Sequence, residues 1–405
     1  MDIRSTWSSN NISVDLSTIP PVIGPYPSDA EEFDAFQAAA AKVFQSFANL
    51  SSPPGIINHA GTREVVQDYE RIRIALGYER IHFLGASYGF YRNAQYAVTF
   101  PERVGHFALD AVVSHGISIE NQVAYDLISV NRALLRADAY CQDHATCPFH
   151  GIVPDLTYLL QQAWLYILAQ AENGTLIACD TNATTSCNNT VPAWEIQATL
   201  AGALMGQPDF PTILEALAAA YAGNAALFLG GGSLTLDATW GLVEICNDHP
   251  VADKSFAHYK HLIDVASSVD TYRVNQSAGI QAQLICAAWP YAEPAASTPL
   301  QLTQTMLLVT ADFEASIATE QTTFVWETQA HKSGLVVRHG DDHVSFNEPL
   351  VASTNITKRF LRTGVLPCPE DSTYVTVYGP GEKRRPVSNP YDVPTGLLAG
   401  DIDSS

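Results

Sequence analysis

Arg80-Ile81-His82-Phe83-Leu84-Gly85-Ala86-Ser87-Tyr88-Gly89-Phe90-Tyr91 is the run of residues that dictates the architecture of this chain. A short apolar segment breaks into Gly-Ala-Ser-Tyr-Gly, which predicts a strand, a sharp turn with Ser87 at its apex, and a helix. Because Gly85 and Gly89 are small, the strand and the helix can approach each other closely. Such a turn exposes the Ser87 hydroxyl and directs the Tyr88 N–H towards a developing oxyanion.

The elements around this pattern strengthen the interpretation. An amphipathic run over residues 65–76 ends at Gly77 and precedes the apolar residues 81–84, which is the helix–strand–turn order of an α/β-hydrolase. Residues 104–113 then predict a buried parallel strand, so the segment makes one βαβ crossover. We therefore expect a mostly parallel sheet flanked by helices. The alternative is that Gly85 and Gly89 merely serve a tight turn between strand and helix.

Changes in composition and hydrophobic periodicity along the sequence predict that the chain has four parts. Residues 1–115 form the N-terminal part of the hydrolase core, and residues 116–295, with long helical patterns broken by cysteine-containing loops, form an inserted helical lid. Strand patterns resume in residues 296–366, the C-terminal part of the core. Residues 367–405 are polar and proline-rich, and we expect an irregular tail whose basic cluster, Lys383-Arg384-Arg385, is solvated.

Charge and hydropathy exclude several classes of partner. The formal net charge is −21 with only 21 Lys plus Arg, which repels nucleic acid and anionic membrane surfaces. The sequence contains no run of eighteen apolar residues, so a membrane span is not expected. We predict a monomer without metal or other cofactor that acts on a peptide or a small ester.

Asn-x-Ser/Thr sequons are more frequent than the composition requires, since seven occur where about two or three are expected by chance. They begin at Asn11, Asn49, Asn173, Asn182, Asn188, Asn275 and Asn355. This excess predicts a secreted glycoprotein.

The seven cysteines agree with an oxidising compartment. Two pairs are close in polar, loop-like sequence, and a third pair remains; the expected disulfides are Cys141–Cys147, Cys179–Cys187 and Cys246–Cys286, with Cys368 left over. The alternative is that several of these cysteines are buried free thiols.

A serine at such an apex needs a general base and a carboxylate that orients the base. In α/β-hydrolases these residues follow the nucleophile in the order acid, then histidine, on loops after the last two strands. His343 follows a tight turn after the final predicted strand and is the favoured base, with His339 as the competitor. Glu314, three residues after the small Ala311, is the favoured acid, and Asp312 is the alternative.

Several further stretches, taken together, resemble the secreted tripeptidyl aminopeptidase and proline iminopeptidase-like branch of the α/β-hydrolases. They are Thr62-Arg63 and the helix that follows, Leu84 to Tyr91, Phe100 to Val113, Glu244-Ile245-Cys246-Asn247-Asp248, Cys286-Ala287-Ala288-Trp289-Pro290 and Gly340-Asp341-Asp342-His343-Val344-Ser345-Phe346. The resemblance implies a serine exopeptidase that releases residues from peptide N-termini. It also makes Glu244 and Asp248 candidates for binding the substrate's free amine, although either residue can instead serve a lid salt bridge or a helix cap.

The chain also departs from that family. The family's acid is normally an Asp followed by Pro, whereas Glu314 is followed by Ala315. Residues 2–9 resemble a loop that in the family comes after several strands and after a His-Gly-Gly-x-Gly turn, and no signal-peptide core follows Met1. We therefore expect an N-terminally truncated chain without its early strands. Loss of the second oxyanion donor, which that turn supplies, costs about 10²–10³ in rate. An esterase or lipase-like hydrolase and a non-catalytic remnant are the alternatives.

Overall fold

The computed structural model describes residues 4, 9, 12–18, 26–113, 115–150, 159–179, 189–229, 236–291, 302, 304–329, 331–347 and 352–395. Within these residues the main sheet has six strands in the order β1-β2-β5-β6-β8-β7, and β3 and β4 form a separate two-stranded sheet. The strands are β1 (Ile81–Ala86), β2 (Val104–Asp110), β3 (Ile177–Ala178), β4 (Asn189–Thr190), β5 (Met306–Ala311), β6 (Gly334–Arg338), β7 (Glu370–Asp371) and β8 (Val375–Tyr378). Strands β1, β2, β5 and β6 are mutually parallel, so their carboxyl ends share one edge.

Helices surround this sheet and fill the long insertion between β2 and β5. They are α1 (Ala30–Leu50), α2 (Thr62–Ala75), α3 (Gly89–Thr99), α4 (Ile119–Asp143), α5 (Leu159–Glu172), α6 (Ala193–Leu204), α7 (Phe210–Tyr221), α8 (Leu236–Asp248), α9 (Phe256–Val269), α10 (Ala278–Cys286), α11 (Thr319–Thr328) and α12 (Ala352–Thr363). Side-chain caps fix several starts; Asp29, for example, accepts a hydrogen bond from the Glu32 N–H at the N-terminus of α1.

Side chains alternate between the two faces of the sheet, and both faces are covered by helices. Phe107 and Leu109 of β2 pack in one core with residues of α2, α3 and α11, whereas Ala108 packs in a second core with residues of α12. Because both faces are covered, the central strands are almost continuously apolar, as the sequence predicted for a parallel sheet. A third core joins α4, α5, α6 and α7 within the insertion.

The disulfides agree with the predicted pairing where both partners are described. Cys141–Cys147 and Cys246–Cys286 are bonded, and Cys368 is free and exposed. Cys179 is also disulfide-bonded, but its expected partner Cys187 lies outside the described residues. The Cys246–Cys286 disulfide joins α8 to α10.

The prediction of an irregular C-terminal tail is wrong for residues 370–378. Strand β8 pairs antiparallel with β6, and β7 pairs with β8, so this part of the tail completes the sheet. The apolar residues Val375 and Val377 are buried against α12, which explains why the segment joins the core. Arg384 of the basic cluster is also not solvated, because its side chain is 5% exposed and pairs with Asp312 at 3.2 Å.

A mostly parallel sheet, helices on both faces, a serine turn after β1 and a helical insertion between β2 and β5 together define an α/β-hydrolase fold. Among the described residues, β1 pairs with β2 and forms one edge of the sheet. The predicted domain limits at residues 115, 295 and 366 stay predictions. No helix in the described part of the chain is both long and apolar enough to cross a bilayer.

Candidate active site

Ser87 occupies a strained turn at the carboxyl end of β1. Its φ of +53° lies in the left-handed region, which non-glycine residues rarely adopt. The Ser87 N–H donates to the Asp110 carbonyl oxygen at 3.0 Å, which holds the turn against β2. A Cβ on Gly85 would lie 2.6 Å from Asn93 Nδ2 and 3.1 Å from the Phe90 Cα, so any larger residue requires both neighbours to shift. A Cβ built on Gly89 meets no other segment of the chain within 4 Å, so the close approach requires only the first glycine.

The favoured acid and base are in direct contact. Glu314 lies just beyond β5 and His343 beyond β6, and Glu314 Oε1 is 2.5 Å from His343 Nδ1. Glu314 is 1% exposed, and the same oxygen accepts a hydrogen bond from the Ile317 N–H at 3.2 Å. Burial alone lowers the pKa of His343, but the hydrogen bond and charge of Glu314, together with the charge of Asp110, outweigh burial and raise the pKa above 6.5.

The competing pair, Asp312 and His339, is part of a different network. His339 Nδ1 is 2.6 Å from Asp312 Oδ2, and His339 Nε2 is 2.9 Å from the Thr376 hydroxyl oxygen of β8. Asp312 also accepts hydrogen bonds from Arg384 and Ser388 of the tail. Burial raises the Asp312 pKa, but the hydrogen bond from His339 and the charge of Arg384 leave it below its usual value. With both ring nitrogens bound inside the protein, His339 is poorly placed to act as a base.

Ser87 Oγ and His343 Nε2 are not hydrogen-bonded to each other in this structure. Both belong to loops at the carboxyl edge shared by β1 and β6, and Nδ1 of His343 is the nitrogen that Glu314 occupies. The remaining nitrogen is therefore the one that can face a nucleophile. In enzymes without substrate, the bond between nucleophile and base is often long or unformed.

Asp110, at the end of β2, connects the serine turn to the histidine loop, and the sequence interpretation missed it. Its carbonyl oxygen accepts from the Ser87 N–H, and its Oδ2 accepts from the Phe346 N–H at 2.7 Å. Asp110 is 1% exposed, and burial raises its pKa to about 6. The available signal was a carboxylate that ends a buried apolar strand, at the edge where α/β proteins place ligands.

The histidine loop is held from several sides. Val344 has a φ of +63°, a genuine outlier for a β-branched residue, directly after His343. Arg338, at the end of β6 and 0% exposed, donates to the Asp342 carbonyl oxygen at 2.9 Å and to the Ser345 hydroxyl at 3.1 Å. These contacts over-determine the loop, which is the condition under which strained backbone persists.

A turn of the lid at Gly206 contacts two loops: the loop after β5 that carries Glu314, here called the acid loop, and the loop after β6 that carries His343, the histidine loop. The Gly206 N–H donates to the Ser316 hydroxyl at 2.9 Å, two residues beyond Glu314, and its carbonyl oxygen accepts from the His343 N–H at 2.8 Å. Gly206 has a φ of +74°, a conformation in which glycine carries no steric penalty. The lid is therefore attached to the acid loop and the histidine loop through one residue.

The two proposed amine-binding carboxylates already have partners inside the protein. Asp248, 2% exposed, accepts from the Thr62 N–H at 2.7 Å, the Thr62 hydroxyl at 2.6 Å and the Tyr88 hydroxyl at 2.8 Å. Burial and the charge of Glu244 raise its pKa, to about 7, against the opposing hydrogen bonds from Thr62. Glu244 makes a bidentate ion pair with Arg92 of α3, whose Nε lies 2.5 Å from Oε1. Both carboxylates thus hold α8 against the elements beside the serine turn.

These contacts match the alternative that the sequence left open, a lid salt bridge for Glu244 and a helix cap for Asp248. The role of either residue in binding a substrate amine stays a prediction. Tyr88 serves two purposes in this arrangement, because its hydroxyl binds Asp248 while its backbone N–H belongs to the turn after Ser87.

Comparison with known proteins finds matches to parts of this chain. The family described as TAP-like protein matches residues 272–373, a segment that contains Glu314 and His343. A tripeptidyl aminopeptidase of Streptomyces lividans is 37% identical over 59 residues, which cover 15% of this chain and 11% of that protein. Serine protease Hip1 of Mycobacterium tuberculosis is 33% identical over 90 residues, which cover 22% of this chain and 17% of that protein. The matches thus span less than a fifth of these relatives' lengths.

Among solved structures, an alpha/beta hydrolase fold protein from Nakamurella multipartita is similar over 75% of each chain, with 16% identity and a TM-score of 0.31. A structural similarity this low does not bear on the residues of this site. The chain has the α/β-hydrolase fold, as its own sheet order and serine turn show, and residues 272–373 are similar to TAP-like proteins.

Proposed function

We propose that this protein is a secreted serine exopeptidase that releases residues from the N-termini of peptides. The observation that carries the proposal is the contact between buried Glu314 and half-buried His343, 2.5 Å apart, at the sheet edge where Ser87 occupies its strained turn. Similarity to proteins named as a tripeptidyl aminopeptidase and a serine protease supports the same chemistry.

In the proposed mechanism, Ser87 Oγ attacks the scissile carbonyl while His343 Nε2 takes the hydroxyl proton. Glu314 holds the other imidazole nitrogen and stabilises the imidazolium that forms. The Tyr88 N–H donates to the oxyanion of the tetrahedral intermediate. His343 then gives its proton to the leaving amine, and a water molecule, deprotonated by the same imidazole, hydrolyses the acyl-enzyme and restores Ser87.

Recognition of a free N-terminus requires a carboxylate near the nucleophile. We propose Asp248 and Glu244 for this role, because both lie against the helix that follows Ser87. An ammonium group bound there would share Asp248 with Tyr88 and Thr62, or would compete with Arg92 for Glu244. Asp248 is the better candidate, since its present partners are neutral donors whereas Glu244 is already neutralised by an arginine.

Hydrolysis of matched substrates tests the assignment. A tripeptidyl chromogenic amide with a free N-terminus is compared with its N-acetylated form and with a p-nitrophenyl acyl ester, and the Ser87→Ala variant serves as the background control. The proposal expects the free peptide to be cleaved at least about tenfold faster than the acetylated peptide, because only the free amine can pair with Asp248. Equal rates would remove the exopeptidase assignment, turnover of the ester alone would identify an esterase, and no turnover of any substrate would indicate a non-catalytic remnant.

The proposed secretion and glycosylation have their own test. Asn49, Asn173 and Asn355 are exposed and therefore accessible in the folded chain, and Asn275 is partly buried. Expression in a secreting eukaryotic host is expected to give protein whose mass falls on treatment with an endoglycosidase. Protein of unmodified mass would count against the glycoprotein assignment.

A further inference from the structure

Arg136, on lid helix α4, is buried at 0% exposure, and each of its five N–H groups has a protein acceptor. Nε and Nη2 donate to the two carboxylate oxygens of Asp341 at 2.5 and 3.1 Å. Nη1 donates to the carbonyl oxygens of Pro390 at 2.7 Å and Val393 at 2.6 Å, and Nη2 also donates to that of Pro394 at 2.7 Å. The guanidinium therefore joins the lid, the histidine loop and the C-terminal tail.

The same side chain reaches the acid loop. Its guanidinium carbon lies 4.4 Å from the ring centroid of Phe313, which is 1% exposed and immediately precedes Glu314. Asp341, on the other side, is two residues before His343. Arg136 thus contacts the residue immediately before Glu314 and the residue two positions before His343.

The tail supports the acid loop at a second point. Arg384 Nη2 lies 3.2 Å from Asp312 Oδ1, and the Ser388 hydroxyl donates to Asp312 Oδ2 at 2.8 Å. Asp312 is two residues before Glu314, as Asp341 is before His343. Residues 384–394 therefore contact the acid loop directly and the histidine loop through Arg136, which also connects this segment to the lid.

We propose that Arg136 is a positioning residue, which sets the distance between Glu314 and His343 by clamping their loops to the tail. Transferring an arginine into the interior is costly, and a buried ion pair is often no more stabilising than well-packed apolar side chains. What a guanidinium supplies that an apolar group does not is fixed direction, because its planar fork specifies where five acceptors must lie. In this case the acceptors fix the tail and the histidine loop in one plane, while the face of the guanidinium fixes Phe313.

The Arg136→Lys variant tests the proposal, since lysine keeps the charge but cannot make the planar, five-donor arrangement. Arg273→Lys is the matched control, because Arg273 makes an ion pair with Glu172 on the surface and is 56% exposed. Two readouts are used: the rate of labelling of Ser87 by a fluorophosphonate, and the low-field NMR resonance of the His343 Nδ1 proton, assigned by its absence in His343→Gln.

The proposal expects Arg136→Lys to be labelled about 10- to 100-fold more slowly than the parent chain and to lose or broaden the His343 resonance. The control is expected to match the parent in both. A folded Arg136→Lys protein with the parental labelling rate and resonance would overturn the proposal. If Arg136→Lys does not fold, Asp341→Asn replaces it, with an expected loss of about 10-fold, and parental behaviour of that variant would overturn the proposal equally.

The labelling readout rests on the proposed hydrolase function, whereas the resonance does not. A parent chain that is not labelled would contradict the function, and the Nδ1 proton of His343 would still decide whether Arg136 positions the pair. Failure of the proposed hydrolase function and failure of the proposed role of Arg136 are therefore distinguishable.

Discussion

Replacing Glu314 by glutamine isolates the contribution of its charge, because the side chain keeps its shape. In this structure Glu314 is 1% exposed and lies 2.5 Å from His343 Nδ1, where its hydrogen bond and charge raise the pKa of a half-buried imidazole. Without that charge, burial lowers the pKa of His343, and the imidazolium formed during attack loses its main counter-charge. The amide also disturbs which nitrogen of the imidazole carries the proton. Removal of the acid from a serine triad in this way costs up to about 10⁴ in kcat, whereas a single charged hydrogen bond is worth about 1.5–3 kcal/mol, or about 10- to 150-fold.

We therefore expect Glu314→Gln to lower kcat/KM by about 10²–10⁴ on the substrate that the parent chain cleaves best, with little change in KM. Initial rates across a concentration series give both constants. Glu70→Gln is the control, since Glu70 is a partly buried, ion-paired glutamate that lies on α2 and binds Arg73. Asp312→Asn distinguishes the two candidate acids and is expected to lose at least about tenfold less activity than Glu314→Gln. A larger loss in Asp312→Asn would refute the assignment of Glu314.

Three other predictions follow from particular contacts. The profile of kcat/KM against pH should rise through an apparent pKa above 6.5 as His343 loses its proton, and Asp110→Asn should shift that pKa downwards because the Asp110 charge contributes to the shift. Gly85→Ala should destabilise the fold by about 1–3 kcal/mol in urea unfolding, since its Cβ meets Asn93 Nδ2 at 2.6 Å, whereas Gly89→Ala should change stability by less than about 0.5 kcal/mol. Burial raises the pKa of Asp126 from 3.8 to about 6, so this carboxyl stabilises the folded state fully below pH 3.8 and progressively less as pH rises through 6. Asp126→Asn should therefore gain up to about 3 kcal/mol relative to the parent between pH 4 and pH 8, and equal differences at both pH values would contradict this.

The serine turn and the loops of the candidate acid and base were the parts most predictable from sequence. The serine turn has a local pattern, and the acid and histidine follow strands in an order that the fold imposes, so Glu314 and His343 could be chosen before their contact was known. The disulfides Cys141–Cys147 and Cys246–Cys286 were predicted correctly, the first because its partners are close in sequence.

What the sequence did not indicate depends on contacts between distant segments. Strand β8, Val375-Thr376-Val377-Tyr378, is a run of β-branched and aromatic residues whose strand signal was overlooked within proline-rich sequence. Its antiparallel position beside β6 depends on residues about 40 positions earlier in the chain. Arg136 resembles any polar residue of a lid helix, and its acceptors lie more than 200 residues away. The role of Asp110 could not be identified for the same reason, because the Phe346 N–H that it binds belongs to a loop 236 residues further along the chain.

The central claim is that Ser87 is an activated nucleophile, and covalent labelling tests it most directly. The folded chain is treated with a fluorophosphonate, digested and mapped by mass spectrometry, with heat-unfolded protein and Ser87→Ala treated in parallel. We predict one modified residue, Ser87, in the folded parent chain, and no modification at that position in either control. A folded parent chain in which Ser87 remains unmodified while its circular dichroism is native would contradict the claim.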